Sequence, residues 1–138
     1  MILLDTSGLL AALDSSQRHH ERAAASLAGA TPPLLLSPFV LAELDYLIAS
    51  RVSSRARASL LDEVERGAYL LEPMAATDVA RAHAIIRRFA DLDISLADAS
   101  VGVLAERHRV RDVLTLDERH FRILTANKRP FRLLPADA

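Results

Sequence analysis

The chain has 138 residues, 51% of them hydrophobic and only 4% aromatic, with a formal net charge of −1. That length suits one domain able to bury a core unaided, and the lack of cysteine excludes a disulfide framework and a Cys-based zinc site. A core short of aromatics is packed with Leu, Ala, Val and Ile, which favours layered helices and a parallel sheet over an aromatic-rich β-sandwich.

The first line, "MILLDTSGLL", places an apolar strand at 2 to 4 and delivers it directly onto Asp5. There is no basic leader or apolar signal region, and no apolar run approaches the 18 or more residues of a membrane span, so the expectation is a soluble, cytoplasmic protein. Helical periodicity follows at 7 to 14 and 18 to 28. "TPPLLLSPF" then holds a second buried-strand run at 34 to 36, with Pro32 and Pro33 ending a loop and Pro38 suited to the first turn of a helix. Helices are expected at 38 to 52 and 54 to 66, a strand at 69 to 72, and helices at 76 to 90 and 96 to 109. The strands 113 to 116 and 131 to 134 close the chain. This alternation predicts an α/β fold with a central, mostly parallel sheet of four or five strands, and right-handed crossovers that place helices on both faces.

Four acids stand out along this series. Asp5 and Asp117, the latter in "LTLDERHF", follow predicted strands and so share the carboxyl edge of the sheet, where open parallel sheets bind ligands. Both also precede helical sequence, so capping is the structural alternative for each. Glu43, in "SPFVLAELDYLIASRV", lies three after Val40 and four before Leu47 and so borders the buried stripe, while Asp45 points about 200° away toward solvent. Capping cannot explain an acid in mid-helix, so an arginine partner is the alternative there. Asp98, in "DISLADASVGVLAERH", matches a capping box with Ser95, yet shares a helical face with Val101, Gly102 and Ala105, and Gly102 leaves space beside it.

Converging, these carboxylates would repel by ~4 kcal/mol per pair at 4 Å and an effective dielectric near 20. They would protonate or splay without a cation. An all-oxygen set prefers a hard ion, Mg²⁺ or Mn²⁺. The five histidines form no HExxH and offer no rival site. Charge is unevenly spread: residues 107 to 132 hold eight basic and three acidic residues, net +5, and Lys128 is the one lysine of the chain. Arginine's planar fork suits phosphate, which makes this segment either a phosphate-facing edge or a solvated face with salt bridges.

"LLDTS", "AEL", "LADA" and "LTLDERHF" resemble, in order and spacing, the PIN domain, and the chain is similar to its VapC-type ribonuclease toxins of bacterial toxin-antitoxin pairs. The resemblance spans essentially the whole chain and implies a single PIN domain at 1–138, with a three-layer α/β/α sandwich. It implies Asp5, Glu43, Asp98 and Asp117 as metal ligands and catalytic acids, Thr6 and Thr115 as supporting hydroxyls, and a VapB-like antitoxin and a homodimer as partners. Arg119 and Arg122 become candidate RNA phosphate contacts. Many relatives carry an acid where this chain has His120. The stretch around Glu43 is similar to the branch that cuts the sarcin-ricin loop of large ribosomal RNA, other branches cutting tRNA. Metal-assisted hydrolysis would leave a 5′ phosphate and a 3′ hydroxyl without using the RNA 2′-OH. Few aromatics leave recognition to arginine and RNA shape. Two other functions compete: an inactive scaffold that binds RNA or a partner, and a phosphotransferase with Asp5 as nucleophile. The second lacks an acid two positions on, where Ser7 stands. The Leu- and Ala-rich helices at 38 to 66 are the expected dimer surface, core burial being the alternative.

Overall fold

The computed structural model describes residues 1–138. Strand β1 (Ile2–Leu4) leads into helix α1 (Thr6–Leu13) and α2 (His20–Gly29), then β2 (Leu34–Leu36), α3 (Pro38–Arg51), α4 (Ser54–Glu65), β3 (Leu70–Leu71) and α5 (Ala76–Arg88). A 3₁₀ turn, Ala90–Leu92, precedes α6 (Leu96–His108), β4 (Asp112–Leu114), α7 (Glu118–Phe121), the hairpin β5 (Thr125–Ala126) and β6 (Arg129–Pro130), and β7 (Arg132–Leu134).

Five strands form one all-parallel sheet in the order β3-β2-β1-β4-β7. Leu3 is the centre of its register, opposite Leu35 on one side and Val113 on the other. Successive residues of a strand point to opposite faces; Ile2, Leu3 and Leu4 are all buried, so both faces of β1 are covered. The order also shows why the sheet has a site. The chain runs outward from β1 through β2 to β3, then returns to add β4 and β7 on the other side. The reversal falls between β1 and β4, and the crevice at their carboxyl ends is where such sheets take ligands.

Two features set the geometry of that crevice. Helix α6 is buried nearly all round, with Ala97, Ala99, Ser100, Gly102 and Ala105 allowing close approach. It is tied to the start of α3 by a hydroxyl chain in which Ser37 Oγ donates to Ser100 Oγ at 2.7 Å and Ser100 Oγ to the Ala97 carbonyl at 2.6 Å. Gly8, in the first turn of α1, lies against the end of β4: a Cβ there would sit 2.3 Å from the Leu114 carbonyl oxygen. No other residue type fits without moving backbone.

Most predicted elements are present within one or two residues. The strand expected at 69 to 72 differs in kind: it is an exposed edge strand, with Leu70 and Leu71 at 47% and 42% exposure. The strand expected at 113 to 116 ends at Leu114, which leaves Thr115 beyond the ladder. The space expected beside Asp98 at Gly102 is taken by α5, since a Cβ on Gly102 would meet Ile85 Cδ1 at 3.3 Å. No helix is long and apolar enough to cross a membrane.

Candidate active site

Asp5 leaves β1 and enters the crevice at 2% exposure. It stands at the N-cap position of α1, yet its side chain accepts no cap hydrogen bond, so capping does not explain it. Its Oδ2 instead accepts from two hydroxyls, Ser7 Oγ at 2.8 Å and Thr115 Oγ1 at 2.7 Å. Each hydroxyl is itself oriented by a backbone amide: Leu116 N–H donates to Ser7 and Asp117 N–H to Thr115, both at 2.9 Å. Oδ1 is buried and accepts no well-formed hydrogen bond, although the Thr6 amide also favours the charged carboxylate. Burial, then the neighbouring Asp98 carboxylate, pushes the Asp5 pKa up to about 6 against the pull of the hydroxyls.

Asp98 is in the first turn of α6. Ser95 forms its half of the capping box, accepting from the Asp98 amide at 3.1 Å. The Asp98 carboxylate is engaged elsewhere, its Oδ2 lying 2.8 Å from His120 Nδ1. Desolvation raises its pKa, and the charge of Asp117 adds to this, against the His120 contact. Asp117 does cap: its Oδ1 accepts from the His120 amide at 3.0 Å at the start of α7. Its other oxygen is 3.0 Å from His120 Nδ1. Capping and site membership, opposed alternatives in the sequence, hold together for this residue because a carboxylate has two oxygens.

His120 is the residue that sequence reading set aside. Its Nδ1 lies between the Asp98 and Asp117 carboxylates and its Nε2 is 2.7 Å from the Leu92 carbonyl. Both nitrogens therefore face acceptors, an arrangement satisfied by the doubly protonated ring. Burial opposes that charge, but the bond to Asp98 and the charge of Asp117 outweigh it and raise the His120 pKa. Asp98, Asp117 and His120 offer ligand atoms within 4.8 Å of one another. The signal for His120 was its place three residues after Asp117 in "LDERHF", one helical turn away.

The other expected residues separate into three groups. Thr115 holds Asp5, as expected of a supporting hydroxyl, and Ser7, not singled out for that role, does the same work. Thr6 is buried with its hydroxyl unpartnered. Glu43 is exposed on α3 and makes no hydrogen bond or ion pair, and, like Asp5, it lies outside the group of Asp98, Asp117 and His120. The arginine alternative is thus absent, and so is the inner-edge burial: Leu44, not Glu43, joins Val40 and Ile48 inside. Asp45 is not free in solvent but chelated by Arg57 at 2.6 and 3.1 Å. Of the two candidate phosphate contacts, Arg122 is held by Glu118 and Asp137 in a network of four hydrogen bonds, while Arg119 is exposed and unpaired.

The donor set suits a hard divalent ion. All its carboxylates are oxygen donors, Asp5 Oδ1 is buried and lacks a partner, and two of the acids have raised proton affinity, the sign of like charges awaiting a counter-charge. The family model of the PIN domain matches residues 2–125. The chain belongs to the PIN-domain family. It is 40% identical over 123 residues to Ribonuclease VapC26 of Mycobacterium tuberculosis, covering 89% of this chain and 91% of that protein. Among solved structures, the fold is similar to Mycobacterium tuberculosis VapC20, a sarcin-ricin loop cleaving toxin, with a TM-score of 0.79 and 21% identity over 85% of this chain and 90% of that one. It is also similar to FitAcB from Neisseria gonorrhoeae, with a TM-score of 0.53 and 27% identity over 79% and 83%. The PIN fold accounts for the five-stranded parallel sheet and for the position of the acids at its switch point.

Proposed function

We propose that this protein is a Mg²⁺-dependent endoribonuclease, with Mn²⁺ as a substitute, and the toxin of a VapBC-type pair whose partner is a VapB-like antitoxin. One observation carries the reading: a buried aspartate at the switch point, anchored through one oxygen by two hydroxyls, with its other oxygen left without a hydrogen bond and the charge of Asp98 acting on it. A structural carboxylate would have both oxygens satisfied. The kinship with a named ribonuclease adds independent support.

In this reading Asp5, Asp98 and Asp117 would hold the ion, and Glu43 would be the ligand contributed from α3. A divalent ion so held supplies Lewis acidity toward water and the scissile phosphate. The chain's own residues prepare the place. Ser7 and Thr115 fix the plane of the Asp5 carboxylate, Ser95 presents Asp98, and the amides of Leu116 and Asp117 lock the hydroxyls. His120, when protonated, places positive charge between Asp98 and Asp117, so it and an ion would compete for the same two carboxylates.

The reading extends to all of residues 1–138 as one PIN domain, because β7, beyond the residues matched by the family model, completes the sheet. The proposed substrate is the sarcin-ricin loop of large ribosomal RNA, with tRNA as the alternative that the same experiment identifies. A homodimer through α3 and α4 is supported by a mostly apolar hollow of about 260 Å³, lined by Leu13, Ile48, Val52, Ala56 and Leu60 together with Asp14, Ser59 and Glu63, and by Tyr46 exposed on α3. The test is incubation of the protein with total bacterial RNA, with Mg²⁺ and with chelator, followed by mapping of new 5′ ends. New 5′-phosphate ends at one or a few sites, abolished by chelator, are expected. RNA left intact at all Mg²⁺ concentrations overturns the proposal.

A further inference from the structure

Three arginines of the basic segment stand apart from the acid cluster. Arg109, Arg111 and Arg129, with Ala126 and Asn127, line a separate hollow of about 340 Å³. Its place follows from the topology: Arg109 caps the far end of α6, Arg111 immediately precedes β4, and Arg129 is in the hairpin before β7. These are the amino ends of the strands, whereas the acids follow the carboxyl ends. Eleven residues of α6 separate Arg109 from Asp98, about 16 Å at 1.5 Å per residue.

The hollow is unneutralised. Four arginines outside it are paired with acids, Arg57 with Asp45, Arg107 with Asp78, Arg122 with Glu118 and Asp137, and Arg132 with Asp112, whereas here three arginines face one space with no acid among them. The side chains of Arg109, Arg129 and the adjoining Lys128 take part in no ion pair or hydrogen bond, and no acid lines the hollow. Arg111 donates only its Nε, to the Pro130 carbonyl at 2.8 Å, which fixes the guanidinium and leaves its outer nitrogens free. Three forked donors, one of them preset, repel one another and suit an anion with several acceptor oxygens. The backbone adds a second sign. Arg109 and Lys128 hold φ of +56° and +66°, conformations in which glycine is unstrained and long side chains are uncommon, so fold alone does not ask for cations there.

We propose that this hollow is a second RNA phosphate site, remote from the acids, that anchors the substrate while its scissile phosphate lies at Asp5 and Asp98. The choice of RNA as the polyanion rests on the ribonuclease reading; the anion site itself does not. A substrate using both sites extends at least the length of α6, which fits a folded RNA and not a short oligonucleotide.

The test is binding of a labelled stem-loop RNA in chelator, so that no strand is cut, across a range of salt. The variant Arg109→Gly/Arg111→Gln/Arg129→Gln removes three phosphate contacts; glycine is at ease at position 109 and the Gln amide can still reach Pro130. Expected are a weakening of roughly tenfold or more and a salt slope shallower by about 2 to 3. The control Arg66→Gln/Arg81→Gln, at two exposed arginines outside the hollow that form no ion pair, leaves the slope unchanged. Should the triple variant unfold, Arg109→Gly alone lowers the slope by about 1. Unaltered binding, or equal weakening in the control, overturns the proposal. So does loss of binding to a polyglutamate peptide with RNA binding retained, which would make the hollow a seat for acidic protein. Because binding is read without metal, this outcome is independent of whether Mg²⁺ supports cleavage.

Discussion

The two poles of the sheet both gather like charges, and they do so in opposite ways. At the carboxyl ends, Asp5 is built into the core, with two hydroxyls and two amides holding it and a histidine charge nearby. At the amino ends, Arg109 and Arg129 stand exposed with nothing holding their side chains, and the half-buried Arg111 is held by a single bond to the Pro130 carbonyl. The buried acids are tolerated because the surrounding fold stabilises them in one geometry, as precise positioning of an ion demands. The exposed bases are tolerated because water screens them, as suits contact with a flexible polyanion. The acid pole should therefore respond to substitution in both activity and stability, the basic pole in binding alone.

The largest expected effect comes from Asp5→Asn. Removing a carboxylate that would hold the ion should lower Mg²⁺-dependent cleavage by roughly a thousandfold or more. The same change stabilises the metal-free protein at pH 7. In the folded chain Asp5 takes its proton with a pKa of about 6, above the ordinary value of 3.8. The folded state thus binds more protons than the unfolded state between about pH 4 and 6, and stability falls as pH rises through that window. Two units correspond to about 3 kcal/mol, gained at neutral pH by the asparagine variant. Denaturant titrations at pH 4 and pH 7 check both statements; equal stability differences at the two pH values would break the comparison.

Next is Gly8→Ala. Its Cβ would strike backbone at Leu114, so α1 must move off β4, with a loss of about 1–3 kcal/mol. The shift separates Ser7 from Leu116, so cleavage falls as well. Arg109→Gly at the other pole, by contrast, leaves the unfolding midpoint in place or raises it.

His120→Ala removes the positive charge between Asp98 and Asp117. The expected loss is about 1.5–3 kcal/mol in chelator below pH 6.5. Because the folded-state pKa of His120 is raised, that contribution is complete below the unfolded value of 6.5 and fades as pH rises through the folded one. The variant should thus match the wild type more closely at pH 9 than at pH 6. Mg²⁺ should raise its melting temperature more than that of the wild type, since the ion no longer competes with an imidazolium.

The smallest effect on stability is expected from Glu43→Gln, which leaves the unfolding midpoint unchanged because the side chain is exposed and unpaired. Cleavage is the sharper readout. A loss of tenfold or more places Glu43 in the site with Asp5; undiminished cleavage removes it.

The alternation of strand and helix and the location of Asp5, Asp98 and Asp117 were legible in the chain because they rest on local patterns. Apolar runs of three residues make buried strands, a 3.6-residue period makes helices, and an acid at a strand's end falls at the sheet's edge. Even the amphipathic reading of α3 located Val40 correctly, though it drew the half-buried Leu47 and the exposed Glu43 too far inward. The details that turn a set of acids into a site were decided only in three dimensions. Ser7 and Thr115 are 108 residues apart and share one oxygen of Asp5. His120 meets Asp98 across 22 residues, and Gly8 is required by a carbonyl on another strand. Periodicity reports which face of its own element a residue occupies; which atom meets which depends on how elements far apart in the chain are packed together.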